Sequence, residues 1–465
     1  MKKWKKFIGT KAFYKATLVV AIPMMLQQLV SSSVSLIDNL MVGQLGDAAL
    51  AGVAAVNKFY MIAVFSTNGL LASSSLFLAQ YFGAKNKVKM KESFRFSLVF
   101  AMFIMGTFFV VSWLFPRVIV GFFTPDEAII SAGLVYFRVM KYSFLPMAIS
   151  LGISVALRSI GETKSPMGVS IAAVIVDTIL NYGLAFGNFG LPNLGVTGVA
   201  LATVLSRILE AVIFVVVLIY SKAPFKTALK DLFKIPFGLM KSILIKAAPL
   251  TTNEILWSLG MATLFKLYGT CGPEVMSGYA IANTIADLFF ILFGGMAAAT
   301  TVLISHHLGA NQLEEARGNG YRLIGFGAIL SVAFGVMMFT SSFFIPDWFQ
   351  VSESAKEVTR MILRIMSAMF WIYVINTQIY FTLRAGGDTK STFFMDSVYM
   401  WCINIPVVVL VAYGTNFPIY ILYIAGQATD IIKMIIGYRM VRKEKWVVNL
   451  TRVNETELIP SEIEG

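Results

Sequence analysis

The sequence predicts an all-α membrane protein of about twelve transmembrane helices, arranged as two pseudo-symmetric lobes of six. Composition is the first reason: 57% of the 465 residues are hydrophobic and only 14% are charged, against about 25% in ordinary soluble domains. The mean hydropathy is +0.75. Second, apolar runs of about twenty residues or more succeed one another, each long enough for the ~30 Å of hydrocarbon in a bilayer. Third, the chain repeats itself. Ile22-Pro23 returns as Ala248-Pro249, Ala49-Leu50-Ala51-Gly52 as Val275-Met276-Ser277-Gly278, and Gly83-Ala84 as Gly309-Ala310. Leu157-Arg158-Ser159-Ile160-Gly161-Glu162-Thr163-Lys164-Ser165 returns as Leu383-Arg384-Ala385-Gly386-Gly387-Asp388-Thr389-Lys390-Ser391. Pro249 follows Pro23 by 226 residues, and the same 226 separates the members of every other pair. Repeated halves in an apolar chain point to a transporter.

The spans begin near Ala16, Ala48, Ser93, Ala128, Ser165 and Gly195 in the first half. In the second they begin near Ile243, Val275, Tyr321, Ser354, Ser391 and Phe417. The first reads as a membrane helix, because its apolar part outruns a signal-peptide core and ends at Asp38 and a glycine turn at 43–46. Basic residues crowd alternate connections: Lys2, Lys3, Lys5 and Lys6 before the first span, Lys85 to Arg95 between the second and third, Lys222 to Lys246 between the halves, and Arg439 to Lys445 after the last. The intervening turns, at 43–48, 187–195, 269–274 and 414–418, are nearly free of Lys and Arg. This asymmetry places both termini and the linker in the cytoplasm, and a location in the plasma (inner) membrane is expected. The net charge of +13 therefore faces lipid headgroups, and no nucleic-acid partner is expected. An even number of spans per half makes the repeat parallel. The expected divisions are an N-terminal lobe at 1–220, a cytoplasmic linker at 221–240, a C-terminal lobe at 241–442 and a tail at 443–465, polar and short of structure beyond Trp446. Two cysteines, Cys271 and Cys402, exclude a disulfide framework and have no metal-ligand spacing.

Charges inside these spans mark function, because each costs several kcal/mol unless paired or hydrated. The repeat supplies an internal control. Asp38 falls on Leu264 of the second half, Glu254 on Gln28 and Asp287 on Met61. Asp177 meets Ile403, or Met400 if the register shifts by three beyond Thr392, a shift that brings Asn181 onto Asn404. The two halves thus carry different acid sets. Asp177 and Asn181, four apart, share a helix face. With Asp38, and Ser35 one turn before it, they suit a proton carrier or a cage for a monovalent cation. A bland alternative pairs Asp38 with Lys58. In the second half, Glu254 and Asp287 lie about 20 Å from the outer turn at the helical rise per residue. Trp257 and Met261 follow Glu254 at helical spacing, and an acid beside an aromatic face suits a lipophilic cation. Here the alternative is a tie from Glu254 to Lys266. Asn57 and Asn283 are repeat-equivalent and read as hydrogen-bonded positions, with Asn283 also at the cargo site. His306-His307 point about 100° apart on a helix without an acidic or cysteine partner at ligand spacing, which favours a helix-end role.

These residues resemble the multidrug and toxic compound extrusion (MATE) family over essentially all of 12–442. The likeness rests on Pro23 with Asp38 and Gly43-x-Leu45-Gly46, on Gly83-Ala84, on the two Leu-Arg-x-x-Gly-[Glu/Asp]-Thr-Lys loops, and on Asp177-x-x-x-Asn181 with Gly187. It implies two six-helix lobes and cation-driven export of small lipophilic, often cationic compounds by alternating access, with H⁺ or Na⁺ as coupling ion and no other cofactor. It assigns the coupling ion to Asp38, Asp177, Asn181 and Thr203. Many members place Asn before Asp on the fifth helix, whereas here Asp177 precedes Asn181. Cargo is expected at Glu254, Asp287, Trp257, Asn283 and Gln27, and the chain is expected to be a monomer. A flippase of a lipid-linked precursor is the alternative on a related fold, though its anionic cargo suits a basic cavity. An enzyme is not expected, because no nucleophile–base or metal cluster is present.

Overall fold

Hydrocarbon offers the backbone no hydrogen-bond partners, so every peptide group must be satisfied within its own segment. The computed structural model describes residues 5–269, 273–349, 352–414 and 418–452, and among these no strand occurs. Twelve long helical segments follow: α1 Lys11–Gly43, α2 Asp47–Gly83, α3 Lys87–Leu114, α4 Glu127–Ser159, α5 Lys164–Phe186 and α6 Val196–Tyr220. The second half supplies α7 Phe237–Gly269, α8 Pro273–Gly309, α9 Leu313–Ser341, α10 Glu353–Ala385, α11 Thr389–Gly414 and α12 Ile419–Arg442. Eleven of them contain a stretch apolar and long enough to cross a membrane. The remaining one, α7, has 33 residues, which is ample length at about 1.5 Å per residue. The fold is that of an all-α, multi-pass membrane protein. Within α11, π-helical turns span Phe394–Val398 and Met400–Asn404, in the stretch where the repeat register shifts. The expected turns at 269–274 and 414–418 lie partly outside the described residues, as do the side chains of Ser35 and Lys266.

The repeat is built into the turns as well as the helices. Asn86 N donates to Tyr81 O at 3.0 Å and Gln312 N to His307 O at 2.8 Å, and Lys85 and Asn311 both take a left-handed φ, 56° and 61°. The Leu-Arg loops match too: Glu162 N reaches Leu157 O at 3.0 Å and Asp388 N reaches Leu383 O at 3.1 Å. Gly161 and Gly387 sit at φ 86° and 80°, where a Cβ would be strained. The acid of each motif then caps the following helix, Glu162 accepting from Ser165 N and Asp388 from Ser391 N. His307 completes its turn through a 2.6 Å hydrogen bond between Nδ1 and Gln312 Oε1.

Packing divides the chain elsewhere than the repeat does. One unit comprises Leu26–Thr251; the other comprises Met1–Met25 together with Thr252–Gly465. The breaks follow Pro23 and Pro249 by two residues each, within α1 and α7, where proline removes a helical hydrogen bond. The N-terminal part of α1 therefore packs with the second half and that of α7 with the first, an exchange that lobes at 1–220 and 241–442 do not contain. The linker is pinned to α3, with Phe225 fully buried 4.9 Å from the Phe94 ring and Arg95 Nε donating to Thr227 at 2.7 Å. The start of the tail is also ordered, contrary to expectation. Trp446 is fully buried, Leu450 and Thr451 are buried, and Trp446 Nε1 donates to Val441 O at 3.0 Å. A Cβ on Gly386 would stand 1.8 Å from Trp446 O, so the glycines of the Leu-Arg loop make room for the tail.

Candidate functional site

In the unit formed by residues 26–251, two helices bring Asp38, Asp177 and Asn181 together. Asp38 comes from α1 beyond Pro23; Asp177 and Asn181 stand one turn apart on α5. The buried Asn181 lies between the acids: its Nδ2 donates to Asp38 Oδ1 at 3.2 Å and to Asp177 Oδ2 at 3.4 Å. From α6, Ser206 Oγ donates to Asp177 Oδ1 at 2.9 Å. Among the described residues neither acid makes an ion pair, and Lys58 stays exposed. Among the described residues no hydrogen bond joins Thr203 to either acid. Its hydroxyl is spent on Val199 O at 3.2 Å, although its carbonyl accepts from Ser206 Oγ at 2.9 Å. Ser206 was not anticipated, because a serine inside an apolar helix has no pattern of its own.

These acids border a polar cavity of about 230 Å³ whose wall also includes Gln27, Ser154, Arg158, Arg207 and Glu210. Arg207 is held at 2.8 Å by Glu210 one turn along α6, and Glu210 accepts in addition from Ser170 Oγ at 3.1 Å. Gln27 accepts from Arg158 Nη2 at 3.1 Å. Both cations of the cavity are thereby committed away from Asp38 and Asp177. Asn181 Oδ1 is buried with no hydrogen-bond partner among the described residues. An oxygen ligand is thus available on the same amide whose nitrogen now sits between the carboxyls. A monovalent cation or a proton at that point finds two carboxyls, an amide and a hydroxyl; among the described residues no group of three or more His, Cys, Asp or Glu forms a metal cluster.

The second unit carries a different arrangement. Lys433 of α12 pairs with Asp396 of α11 at 2.6 Å, and Asn253 of α7 donates to Asp396 Oδ2 at 3.0 Å and to Tyr380 Oη at 3.2 Å. Glu254 faces Arg384, 3.9 Å away, a partner other than the Lys266 considered from sequence. Trp257 and Asp287 are exposed, and Asn283 adjoins Tyr279. Among the described residues no hydrogen bond or ion pair joins Glu254 to Asp287, so the structure does not gather the four expected cargo residues of this half into one cluster. Its acids are also largely balanced by bases. Two carboxylate–cation pairs, Arg384–Glu254 and Lys433–Asp396, lie in this half.

Repeat arithmetic could have exposed part of this. Asn253 follows Gln27 by 226 residues. Arg207 of α6 pairs with Glu210 of the same helix, whereas Lys433 of α12 takes Asp396 of α11. Asn404, the counterpart of Asn181, instead donates to Gly426 O at 2.9 Å and Thr429 Oγ1 at 2.8 Å. Only the first half surrounds this asparagine with acids.

The sequence profile of the MatE family matches residues 23–183 and 249–410, two segments whose starts are again 226 apart. The chain is 24% identical over 439 residues to the probable multidrug resistance protein YoeA of Bacillus subtilis, covering 92% of this chain and 94% of that one. It is 25% identical over 407 residues to a probable multidrug resistance protein NorM of Bradyrhizobium diazoefficiens, covering 86% and 87%. Among solved structures, an outward-facing multidrug resistance MATE transporter of the MOP superfamily superposes with a TM-score of 0.86 over 96% of this chain and 98% of its own, at 18% identity.

Proposed function

The chain belongs to the MatE family, and on that premise we propose that it exports small lipophilic, often cationic compounds in exchange for a monovalent cation bound between Asp38 and Asp177. One observation carries this reading. The two acids face each other with an amide N–H between them and no cationic side chain bonded to either, while the nearby cations are held by other partners. Such a site responds to an ion, because a proton or Na⁺ replaces the amide as the positive element between the carboxyls. Transport then follows from differential affinity: the ion stabilises one conformation and cargo the other. Both termini lie in the cytoplasm in this scheme, as the distribution of Lys and Arg favours. Lys87→Cys should then be labelled only from inside.

Cargo is proposed to bind at Glu254, with the exposed Trp257 one turn along the helix; the cavity at Gln27 is a separate candidate in the other unit. The Arg384–Glu254 and Lys433–Asp396 pairs favour a second reading, in which cargo is amphipathic and bears an anionic group. Efflux of ethidium from proteoliposomes, driven by an imposed Na⁺ or H⁺ gradient one at a time, tests the main proposal. Asp38→Asn should abolish gradient-driven efflux. Full coupled efflux by that variant would refute the site, and efflux of an anionic amphiphile in place of ethidium would select the second reading.

A further inference from the structure

At the basic end of the unit that holds residues 252–452, the N-terminal segment closes one side of a groove. Lys5–Phe7 forms a 3₁₀ turn that lies directly on α9: a Cβ at Gly325 would stand 2.3 Å from Phe7 O. The contact is fixed by the Phe7 ring, edge-on to Tyr321 at 5.8 Å, and by Lys6, whose Nζ is 4.2 Å above the Tyr321 ring and 3.3 Å from Tyr438 Oη. The groove between this segment, α9 and α12 has a volume of about 620 Å³. Its length is apolar, lined by Ile324, Ala328, Ile329, Ile375 and Met434, and it ends at Tyr438, Arg439 and Arg442.

Two cations at that end are uncompensated among the described residues. Arg317 takes both Glu314 and Glu444, and Arg322 takes Glu315 at 2.9 Å. Arg439 and Arg442, exposed and three residues apart on one helix face, make no ion pair among the described residues. A slot that is apolar along its length and cationic at its end fits an amphiphile with an acyl chain and an anionic head. A free anion leaves the apolar length unused, and a zwitterionic lipid brings a cation of its own beside the arginines, leaving their net charge unbalanced. We propose that this groove is a binding site for an anionic phospholipid, its acyl chain along Ile324, Ala328 and Met434 and its phosphate on Arg439 and Arg442, with Lys6 beside it. The assignment to the inner leaflet rests on the orientation proposed above; the lipid chemistry does not.

Native mass spectrometry of the purified full-length protein, incubated with equimolar phosphatidylglycerol and phosphatidylcholine, tests the proposal. The protein should retain phosphatidylglycerol preferentially, and Arg439→Gln with Arg442→Gln should lower that preference about thirtyfold, as expected for two surface arginines at the membrane. Ala328→Trp, which fills the groove from a different helix, should lower retention of phosphatidylglycerol with both arginines in place. Equal retention of the two lipids by the unaltered protein, or an unchanged preference in both variants, would overturn the proposal. Labelling of Lys87→Cys from outside would move the groove to the other leaflet without altering this measurement.

Discussion

Glu210 touches neither Asp38 nor Asp177, yet its removal should disable both. In the folded protein it holds Arg207 at 2.8 Å, and the two side chains are 6% and 28% exposed. Glu210→Gln leaves a largely buried guanidinium without a counter-charge, and breaking such a pair costs about 3–5 kcal/mol. The partial exposure of Arg207 lets water offset some of this, which brings the figure to about 2–3 kcal/mol. The remaining acids in reach of the freed cation are Asp177 and Asp38, both already in its field. A guanidinium swung onto Asp177 occupies the place of the coupling ion, and about 3 kcal/mol of competition weakens ion binding about a hundredfold. The assay is ethidium efflux from proteoliposomes as a function of Na⁺ concentration and, separately, of pH. Glu210→Gln should raise the half-saturating ion concentration by about two orders of magnitude, and Arg207→Gln added to it should restore most of the affinity by removing the competitor. A double variant as impaired as Glu210→Gln, or a Glu210→Gln protein with unaltered ion dependence, would refute the reasoning.

Ser206→Ala removes the 2.9 Å donor to Asp177 and should shift ion half-saturation about fivefold, the worth of about 1 kcal/mol. Thr203→Val, whose hydroxyl bonds only its own helix and the neighbouring Tyr136, should shift it less than Ser206→Ala does; the reverse order would place Thr203 in the ion shell. Glu254→Gln should weaken binding of ethidium-like cations more than that of neutral compounds of similar size, measured by fluorescence titration. Unchanged cation binding would move the cargo site to the cavity at Gln27 and Asp38. Trp446→Ala empties a fully buried site beneath the Leu-Arg loop and should cost about 3–5 kcal/mol, visible as loss of monodisperse protein on heating in detergent. Heat resistance equal to that of the unaltered protein would show that the tail is not part of the fold.

The helices were legible because hydrocarbon allows few alternatives, and an apolar run of sufficient length has only one way to satisfy its backbone. Asp38, Asp177 and Asn181 were legible for the complementary reason: they interrupt such runs, and Asp38 and Asp177 do so in one half only. Their partners were not. Ser206 is unremarkable in any helix, since a lone hydroxyl can always bond its own preceding turn. Lys433 passes for the start of the basic cluster that ends α12, and only its 2.6 Å pair with Asp396 shows it to be an internal charge. The cargo expectation rested on helix rise, which gives depth but not direction, so Glu254 and Asp287 came out level without being neighbours. The division into units was hidden because repeat boundaries record sequence similarity, whereas packing boundaries record which surfaces bury each other. Pro23 and Pro249 mark the second kind.

The crossing of units at those two prolines also sets a timetable. Residues Leu26–Thr251 are contiguous and can close as soon as Thr251 has entered the membrane, whereas the other unit joins Met1–Met25 to a segment that begins only at Thr252. At about 5–20 residues per second of synthesis, the stretch from Leu26 to Thr251 takes some tens of seconds to make, and until then the unit that Lys11–Met25 shares with Thr252 and beyond is incomplete. Lys11–Met25 is made well before the residues it packs with in that unit.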